Sequence, residues 1–104
     1  MKVKKDIFEK AKKISRILDC ISSPIRLMIL CMLIEGEKNV SEILEKIGTT
    51  KGNMSQHLRI LTENALLDNR REGNKVFYFI KDKKITRILS EIKNLYCPDL
   101  NFDL

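Results

Sequence analysis

Residues 40–61, VSEILEKIGTTKGNMSQHLRIL, decide the fold that this sequence predicts. Apolar side chains recur there with the three-and-four spacing of a half-buried helix, at Val40, Ile43, Leu44 and Ile47. Gly48 ends that helix, because glycine readily adopts the left-handed backbone conformation that helix ends require. The stretch therefore begins with a short amphipathic helix that stops at a glycine turn.

A second helix is predicted directly after this turn. Thr50 can cap it by accepting a hydrogen bond from a free backbone N–H, and Gly52 lets its first turn approach another backbone closely. Met54, Leu58 and Leu61 form its buried side. The other face carries hydrogen-bond donors, at Lys51, Asn53, Ser55, Gln56 and Arg59. Residues 40–64 therefore predict a helix-turn-helix whose second helix is suited to the DNA major groove.

Two further helices are predicted before this motif. Residues 4–19 carry an apolar stripe opposite lysines, which is typical of an amphipathic helix. Ser23 and Pro24 form a helix start, since proline at the first helical position loses no hydrogen bond. The helix that follows is apolar nearly all round and is expected to lie at the centre of the core. Asn39 and Glu42 then have the spacing of a capping box.

A hairpin and a last helix are predicted after the motif. Two β-prone runs surround a tetrapeptide that contains Gly73, which predicts a hairpin over residues 66–80. Asp82 can cap an amphipathic helix over residues 83–97, which Pro98 ends. The tip and flanks of the hairpin hold polar and basic residues that suit contacts to DNA phosphates or the minor groove: Arg70, Arg71, Asn74 and Lys75.

The predicted order of elements is that of a winged helix, mainly α with a β-hairpin wing, as one domain over residues 1–104. The apolar stripes of the first and last helices exceed what a small core can cover. We expect these helices, over about 4–19 and 83–97, to pair with those of a second copy in a two-fold homodimer. The two recognition helices would then meet successive major grooves, about 34 Å apart.

Charge is concentrated in two parts of the chain, whose formal net charge is +6. Residues 1–19 hold seven basic and three acidic residues, and residues 65–84 hold six basic and three acidic. This distribution suits a polyanionic partner such as nucleic acid. Paired carboxylates, a phosphate-binding loop and a metal cluster are missing from the sequence, which argues against an enzyme.

The sequence also indicates where in the cell the protein is expected to be. Its longest apolar run, residues 27–34, has eight residues, whereas a bilayer span needs about 20. The N-terminal lysines are not followed by the apolar stretch of a signal peptide. We therefore expect a cytoplasmic protein without a membrane partner, and cysteines kept as thiols.

Three motifs resemble the ArsR/SmtB family of winged-helix repressors. They are PIRLMIL at residues 24–30, SQHLRIL at 55–61 and RREGNKVFY at 70–78, and the resemblance extends over about residues 14–97. It implies a homodimeric transcriptional repressor that leaves double-stranded operator DNA when an inducer binds or a thiol reacts.

The resemblance does not extend to the familiar metal sites of this family. Where arsenic and cadmium sensors have Cys-Val-Cys, this chain has Asn39-Val40-Ser41. Zinc and nickel sensors place Asp and His residues on the last helix, which has no histidine here. We therefore expect no metal and no cofactor, since borderline metals lack their preferred imidazole ligands.

Cysteine remains as the candidate sensor. Cys31 on the central helix and Cys97 at the end of the last helix resemble the pair of the thiol-based branch, which senses reactive sulfur species or oxidants through a disulfide or polysulfide bridge. Such a bridge would tie the central helix to a dimerisation helix. A rival interpretation is a sensor of a thiophilic ion such as trivalent arsenic, with the same pair and perhaps Cys20, which is otherwise a structural or bystander thiol.

Several of these residues have a second interpretation. Without the resemblance, Cys31 is simply a small hydrophobe on a buried helix. His57 either contacts DNA or, as in the family, braces the recognition helix. A winged helix can also serve as a protein-interaction module. The predicted DNA-binding set comprises Thr50, Lys51, Gly52, Asn53, Ser55, Gln56, His57, Arg59, Arg70, Arg71, Asn74 and Lys75.

Overall fold

The computed structural model describes residues 4–100. Its elements, in chain order, are α1 (Lys5–Cys20), α2 (Pro24–Ile34), β1 (Lys38–Asn39), α3 (Val40–Ile47), α4 (Lys51–Glu63), β2 (Leu67–Glu72), β3 (Lys75–Ile80) and α5 (Lys84–Tyr96). This is the predicted winged helix-turn-helix, mainly helical with a β-hairpin wing.

The predicted caps of α2 and α3 are confirmed. The Ser23 side chain accepts a hydrogen bond from the backbone N–H of Arg26, and Pro24 occupies the first turn of α2. Before α3, the Asn39 side chain accepts from the Glu42 N–H at 2.9 Å, while the Glu42 carboxylate accepts from the Asn39 N–H at 3.0 Å. Each bond satisfies a backbone donor that the helix itself leaves free.

The sheet has one strand more than the sequence predicted. Its three antiparallel strands lie in the order β1-β3-β2. In the two-residue β1, Lys38 lies opposite Tyr78 and Asn39 opposite Phe77. A strand this short carries no alternating pattern, so only its partner β3 defines it.

The hairpin turn is tighter than the predicted tetrapeptide. Glu72 and Lys75 pair with each other, which leaves Gly73 and Asn74 as a two-residue turn. Gly73 has a φ of 62°, a conformation that two-residue hairpins require and glycine tolerates. The wing is therefore a compact hairpin whose turn is fixed by one glycine.

The start of α5 differs slightly from the prediction. The N-cap is Lys83, which makes no side-chain cap bond. Asp82 still contributes, because its carboxylate accepts a hydrogen bond from the Lys84 N–H at 3.1 Å.

The core lies between α2, α3, α4, α5 and the base of the wing. The central helix α2 supplies Ile29, Leu30, Met32 and Leu33, all buried. The helix-turn-helix adds Ile43, Met54, Leu58 and Leu61, and β2, β3 and α5 close the core with Leu67, Ile80, Ile85 and Leu89. The recognition helix is therefore anchored in the same core as the central helix.

Large apolar side chains remain exposed on the first and last helices. We call them the terminal apolar faces: Ile7, Phe8, Ile14 and Leu18 on α1, and Ile88, Ile92, Leu95 and Tyr96 on α5. Leu95 is 75% exposed and Ile14 is 59% exposed. The core of one chain therefore leaves the outer stripes of both helices uncovered, as the sequence predicted.

Within residues 4–100, no single helix is long and apolar enough to cross a membrane. Taken together, α1 and α2 meet the same criteria of length and composition, but the chain bends by 87° between them.

Candidate nucleic-acid interface

The turn between α3 and α4 is held by hydrogen bonds from its own residues. Gly48 has a φ of 77° and donates its N–H to the Leu44 carbonyl. Thr50 accepts from the Asn53 N–H at 3.2 Å, and the Asn53 side-chain amide donates to the Thr49 hydroxyl at 2.8 Å. The amide of Asn53, predicted to face DNA, thus also holds the turn that sets the start of α4.

The helix α4 separates its apolar and polar residues onto two sides. Met54, Leu58 and Leu61 are at most 2% exposed, which fixes the helix against the core. The opposite side is exposed and carries Lys51, Gly52, Ser55, Gln56 and Arg59. Arg59 lies 3.7 Å from Glu63, but both side chains are largely exposed, and such a pair is weak. This side is therefore open to a partner.

His57 lies at the edge of the exposed side and contacts α2. Its Nδ1 is 3.1 Å from Nη1 of Arg26. Because an arginine can only donate, Nδ1 is the acceptor and the neutral ring carries its proton on Nε2. Partial burial, and then the nearby charge of Arg26, lower the pKa of His57. The structure thus places His57 at the boundary between the two sides of α4, with Arg26 as the partner that the sequence pattern did not reveal.

All four predicted residues of the wing are exposed, namely Arg70, Arg71, Asn74 and Lys75. Arg70 differs from the other three in its contacts. Its guanidinium donates to both carboxylate oxygens of Glu37, one at 3.0 Å, and to Glu72 at 2.9 Å. The guanidinium carbon of Arg70 also lies 4.5 Å from the centre of the Phe77 ring.

These contacts change the electrostatics at the base of the wing. Hydrogen bonding to Arg70 lowers the pKa of Glu37, and the hydrogen bond to Glu37 raises the pKa of Arg70. The charge of Arg70 is therefore offset by two carboxylates, whereas Arg71 and Lys75 offer theirs to solvent. Glu37 lies 33 residues from Arg70 in sequence, so no local pattern indicated the pair.

The three cysteines are free and lie in different environments. Cys31 is half-buried on α2, and burial raises the pKa of its thiol. Cys97 follows the last turn of α5 and is exposed. Cys20 is buried at the end of α1, where burial raises the pKa of its thiol, against the opposing charge of Arg26. Within residues 4–100, no group of three or more His, Cys, Asp or Glu side chains is placed to hold a metal.

The fold and this interface define a winged helix-turn-helix regulator. The family model "Bacterial regulatory protein, arsR family" matches residues 23–68. A biofilm growth-associated repressor of Xylella fastidiosa is 30% identical over 94 residues, which cover 90% of this chain and 82% of that protein. The HTH-type transcriptional regulator YgaV of Escherichia coli is 34% identical over 90 residues, 85% of this chain and 90% of YgaV.

Solved structures agree with these matches. NolR from Sinorhizobium fredii superposes with a TM-score of 0.85 at 26% identity, covering 92% of this chain and 96% of NolR. The repressor BigR from Xylella fastidiosa gives 0.81 at 29% identity, covering 92% of this chain and 98% of BigR. The chain belongs to the ArsR family, and the resemblance inferred from its three motifs is confirmed.

Proposed function

We propose that this protein is a homodimeric transcriptional repressor that binds double-stranded operator DNA through α4 and the wing. The observation that carries this proposal is the division of α4 into a fully buried apolar side and an exposed polar side. A helix anchored on one side and open on the other suits insertion into a major groove.

The residues divide into two expected roles. Gln56 and Arg59 can read base edges, because their side chains make paired hydrogen bonds with adenine and guanine respectively. Thr50, Lys51, Gly52 and Ser55 at the start of α4, with Arg71, Asn74 and Lys75 of the wing, are placed to hold the DNA backbone. Arg70 joins them only if DNA phosphates displace its carboxylate partners.

The terminal apolar faces support a dimer. Eight large apolar side chains on two helices remain exposed in one chain, and a second copy related by a two-fold axis would cover both helices at once. The relatives include a winged helix-turn-helix domain from Mycobacterium bovis described as homodimeric, at 24% identity. We infer that α1 and α5 form the interface here.

Binding to the protein's own promoter region tests the DNA-binding proposal. Fluorescence anisotropy over a series of salt concentrations should give a log–log slope of about −0.9 per phosphate contacted. Arg59→Ala should cost about 1–3 kcal/mol of discrimination between sequences, whereas Lys75→Ala should weaken binding to all sequences alike.

Lys10→Ala is the matched control for the loss of a lysine, because Lys10 is exposed on α1. Binding without salt dependence, or no binding at all, would contradict the proposal. Capture of a protein partner instead would favour the interaction-module interpretation.

We further propose that reactive sulfur species release the DNA by acting on Cys31 and Cys97. Cys31 lies on α2 and Cys97 directly follows α5, and these two helices pack against each other. Cys97 is the accessible thiol of the pair and Cys31 the half-buried one, so Cys97 reacts first. A bridge between them would change how α5 sits on the core, and hence how the two recognition helices are spaced in the dimer.

The chemistry is a pair of thiol–polysulfide exchanges. The Cys97 thiolate attacks an inner sulfur of an organic tetrasulfide RSSSSR, which breaks the central S–S bond and releases RSS⁻. The Cys31 thiolate then attacks the middle sulfur of the resulting Cys97–S–S–S–R and expels RS⁻. The product is a trisulfide between the two cysteines. The thiols are oxidised and the polysulfide is reduced.

Intact mass and DNA release test this step together. After polysulfide treatment the chain should gain one sulfur atom and lose two hydrogen atoms, and DNA should dissociate. Cys31→Ser and Cys97→Ser should bind DNA but fail to release it, while Cys20→Ser responds like the parent. A response unchanged in both single variants would refute the sensor proposal and leave DNA binding intact. Bound arsenic after arsenite treatment would favour the metalloid interpretation.

A further inference from the structure

Arg26 connects three helices at the base of the recognition helix. It lies in the first turn of α2, and its guanidinium donates from all three nitrogens. Nε donates to the carbonyl of Cys20 at 2.7 Å, and Nη2 donates to the carbonyl of Asp19 at 3.0 Å. Nη1 donates to Nδ1 of His57 on α4 at 3.1 Å. One rigid, planar group thus holds the end of α1 and the middle of α4 at the same time.

The bonds to α1 have a clear physical basis. The last carbonyls of a helix have no intrahelical partner and carry the negative end of the helix dipole. A cation that donates to two of them in succession therefore fixes the end of α1. Lysine could not replace it, because an ammonium group lacks the planar fork that reaches two carbonyls and an imidazole together.

The bond to α4 acts on the orientation of the recognition helix. His57 lies between the buried residues of α4 and its exposed donors. A hydrogen bond at this position opposes rotation of α4 about its own axis, and such rotation would turn Gln56 and Arg59 away from the groove. The packing of Met54, Leu58 and Leu61 fixes α4 against the core, and this hydrogen bond adds a directional restraint to it.

We propose that Arg26 is a positioning residue for DNA binding, which acts through His57 and makes the orientation of α4 depend on the position of α1. The inference rests on the proposed function, since it assumes that α4 contacts DNA. It connects α1, which carries four of the eight side chains of the terminal apolar faces, to the recognition helix within one chain.

The contact between Arg26 and His57 should respond to protonation. A protonated imidazole has no acceptor nitrogen and repels the guanidinium. The charged or titratable groups that line the cavity beside this junction are Arg16, Asp19 and Cys20 of α1 and Arg26 itself. The charge that acts on the His57 ring is that of Arg26.

The pH profile separates this role from direct contact with DNA. If His57 is braced by Arg26, protonation releases α4 and DNA binding weakens as the pH falls through the range in which His57 titrates. If His57 instead contacts a phosphate, protonation adds a favourable charge and binding tightens. The two roles predict opposite signs.

The experiment compares four full-length chains by fluorescence anisotropy with promoter DNA between neutral and mildly acidic pH. They are the wild type, Arg26→Lys, His57→Phe and the double variant. Arg26→Lys keeps the charge but loses the fork, and should raise Kd roughly tenfold, a typical size for coupled sites. His57→Phe should have a similar effect and remove the part of the pH dependence that arises at this junction. The double variant should bind DNA no more weakly than the weaker-binding of the two single variants, because both changes remove the same contact between Arg26 and His57.

Arg16→Lys is the matched control, since Arg16 is exposed on α1 and borders the same cavity as Arg26. It should bind DNA like the wild type. If Arg26→Lys does not fold by circular dichroism, His57→Phe still decides the question.

Two results would overturn the inference. One is a wild-type affinity that rises on acidification and loses this rise in His57→Phe. The other is an Arg26→Lys chain that binds like Arg16→Lys. A wild type that binds no promoter DNA would refute the proposed function as well, whereas wild-type binding with an unaffected Arg26→Lys refutes this inference alone.

Discussion

The helix-turn-helix and the two terminal helices are all amphipathic, but their apolar faces lie in different environments. In α3 and α4, the apolar residues Ile43, Met54, Leu58 and Leu61 are at most 2% exposed. In α1 and α5, every side chain of the terminal apolar faces remains at least 37% exposed, and Leu95 is 75% exposed. Apolar periodicity therefore predicted helices in both regions, but it did not specify what would cover each apolar face.

This difference gives the two regions separate roles. The helix-turn-helix is positioned by contacts within its own chain, so one subunit suffices to orient a recognition helix. In the proposed dimer, the terminal helices pair with those of a second copy and so set the distance between the two recognition helices. Changes in the first region should therefore affect each subunit, and changes in the second should affect the dimer.

The largest effect is expected from Leu95→Glu on the terminal apolar face of α5. A carboxylate there would have to be buried in the dimer without a partner, which strongly disfavours association. We expect a folded monomer by analytical ultracentrifugation and a loss of DNA affinity on the order of a hundredfold, because two linked recognition helices bind cooperatively.

Asn94→Glu is the control, since it adds the same charge at another exposed position of α5. It should leave the dimer intact. A Leu95→Glu protein that stays dimeric would show that the apolar face of α5 lies outside the interface.

The second prediction compares the same truncation in both regions. Leu61 is fully buried, so Leu61→Ala should lower the free energy of unfolding by about 3 kcal/mol. Leu18 is 53% exposed in one chain. In the monomeric Leu95→Glu background, Leu18→Ala should change that free energy by less than about 0.5 kcal/mol. Urea denaturation measures both free energies of unfolding. Equal losses would mean that Leu18 is packed within one chain as tightly as Leu61.

A smaller effect is expected from the cap of α3. Asn39→Ala removes the side-chain acceptor for the Glu42 N–H and should cost about 1 kcal/mol of folding free energy. Asn39→Asp keeps a side-chain oxygen at the same position and should retain most of the stabilisation by the cap. Thermal unfolding of the two variants distinguishes them, and equal losses would mean that the cap bond contributes little.

The smallest effect on folding is expected from Glu37→Gln at the base of the wing. Since Arg70 lowers the pKa of Glu37, the pair stabilises the fold at neutral pH, and this contribution is lost as the pH falls through the lowered pKa. Glu37→Gln should therefore lack the part of the stability loss at acid pH that comes from protonation of Glu37. Freed from one carboxylate, Arg70 should also bind a phosphate, which would steepen the salt slope of DNA binding by about 0.9.

Arg71→Gln serves as the comparison for the wing, because it removes a charge that is already exposed. It should make the salt slope shallower. If Glu37→Gln instead weakens DNA binding at every salt concentration, the pair acts by positioning the wing.

Much of the helix-turn-helix could be read from local sequence. Gly48, Thr50 and the Asn39–Glu42 box each act within a few residues, and the structure has all of them in the predicted roles. The wing was predicted for the same reason, although its turn is shorter and its third strand was missed. That strand exists only because β3 supplies its partner.

By itself, the sequence determined the order of the helices and the hairpin, the caps of α2, α3 and α4, and the two faces of α4, because these depend on side chains one or two helical turns apart. Only the tertiary structure decided which polar groups far apart in the sequence meet. It paired Arg70 with Glu37 across 33 residues and Arg26 with His57 across 31. Such contacts follow from how the helices and the wing pack, and packing is set by the whole core. For this reason two residues read from the sequence as DNA contacts, His57 and Arg70, are found bound within the chain itself.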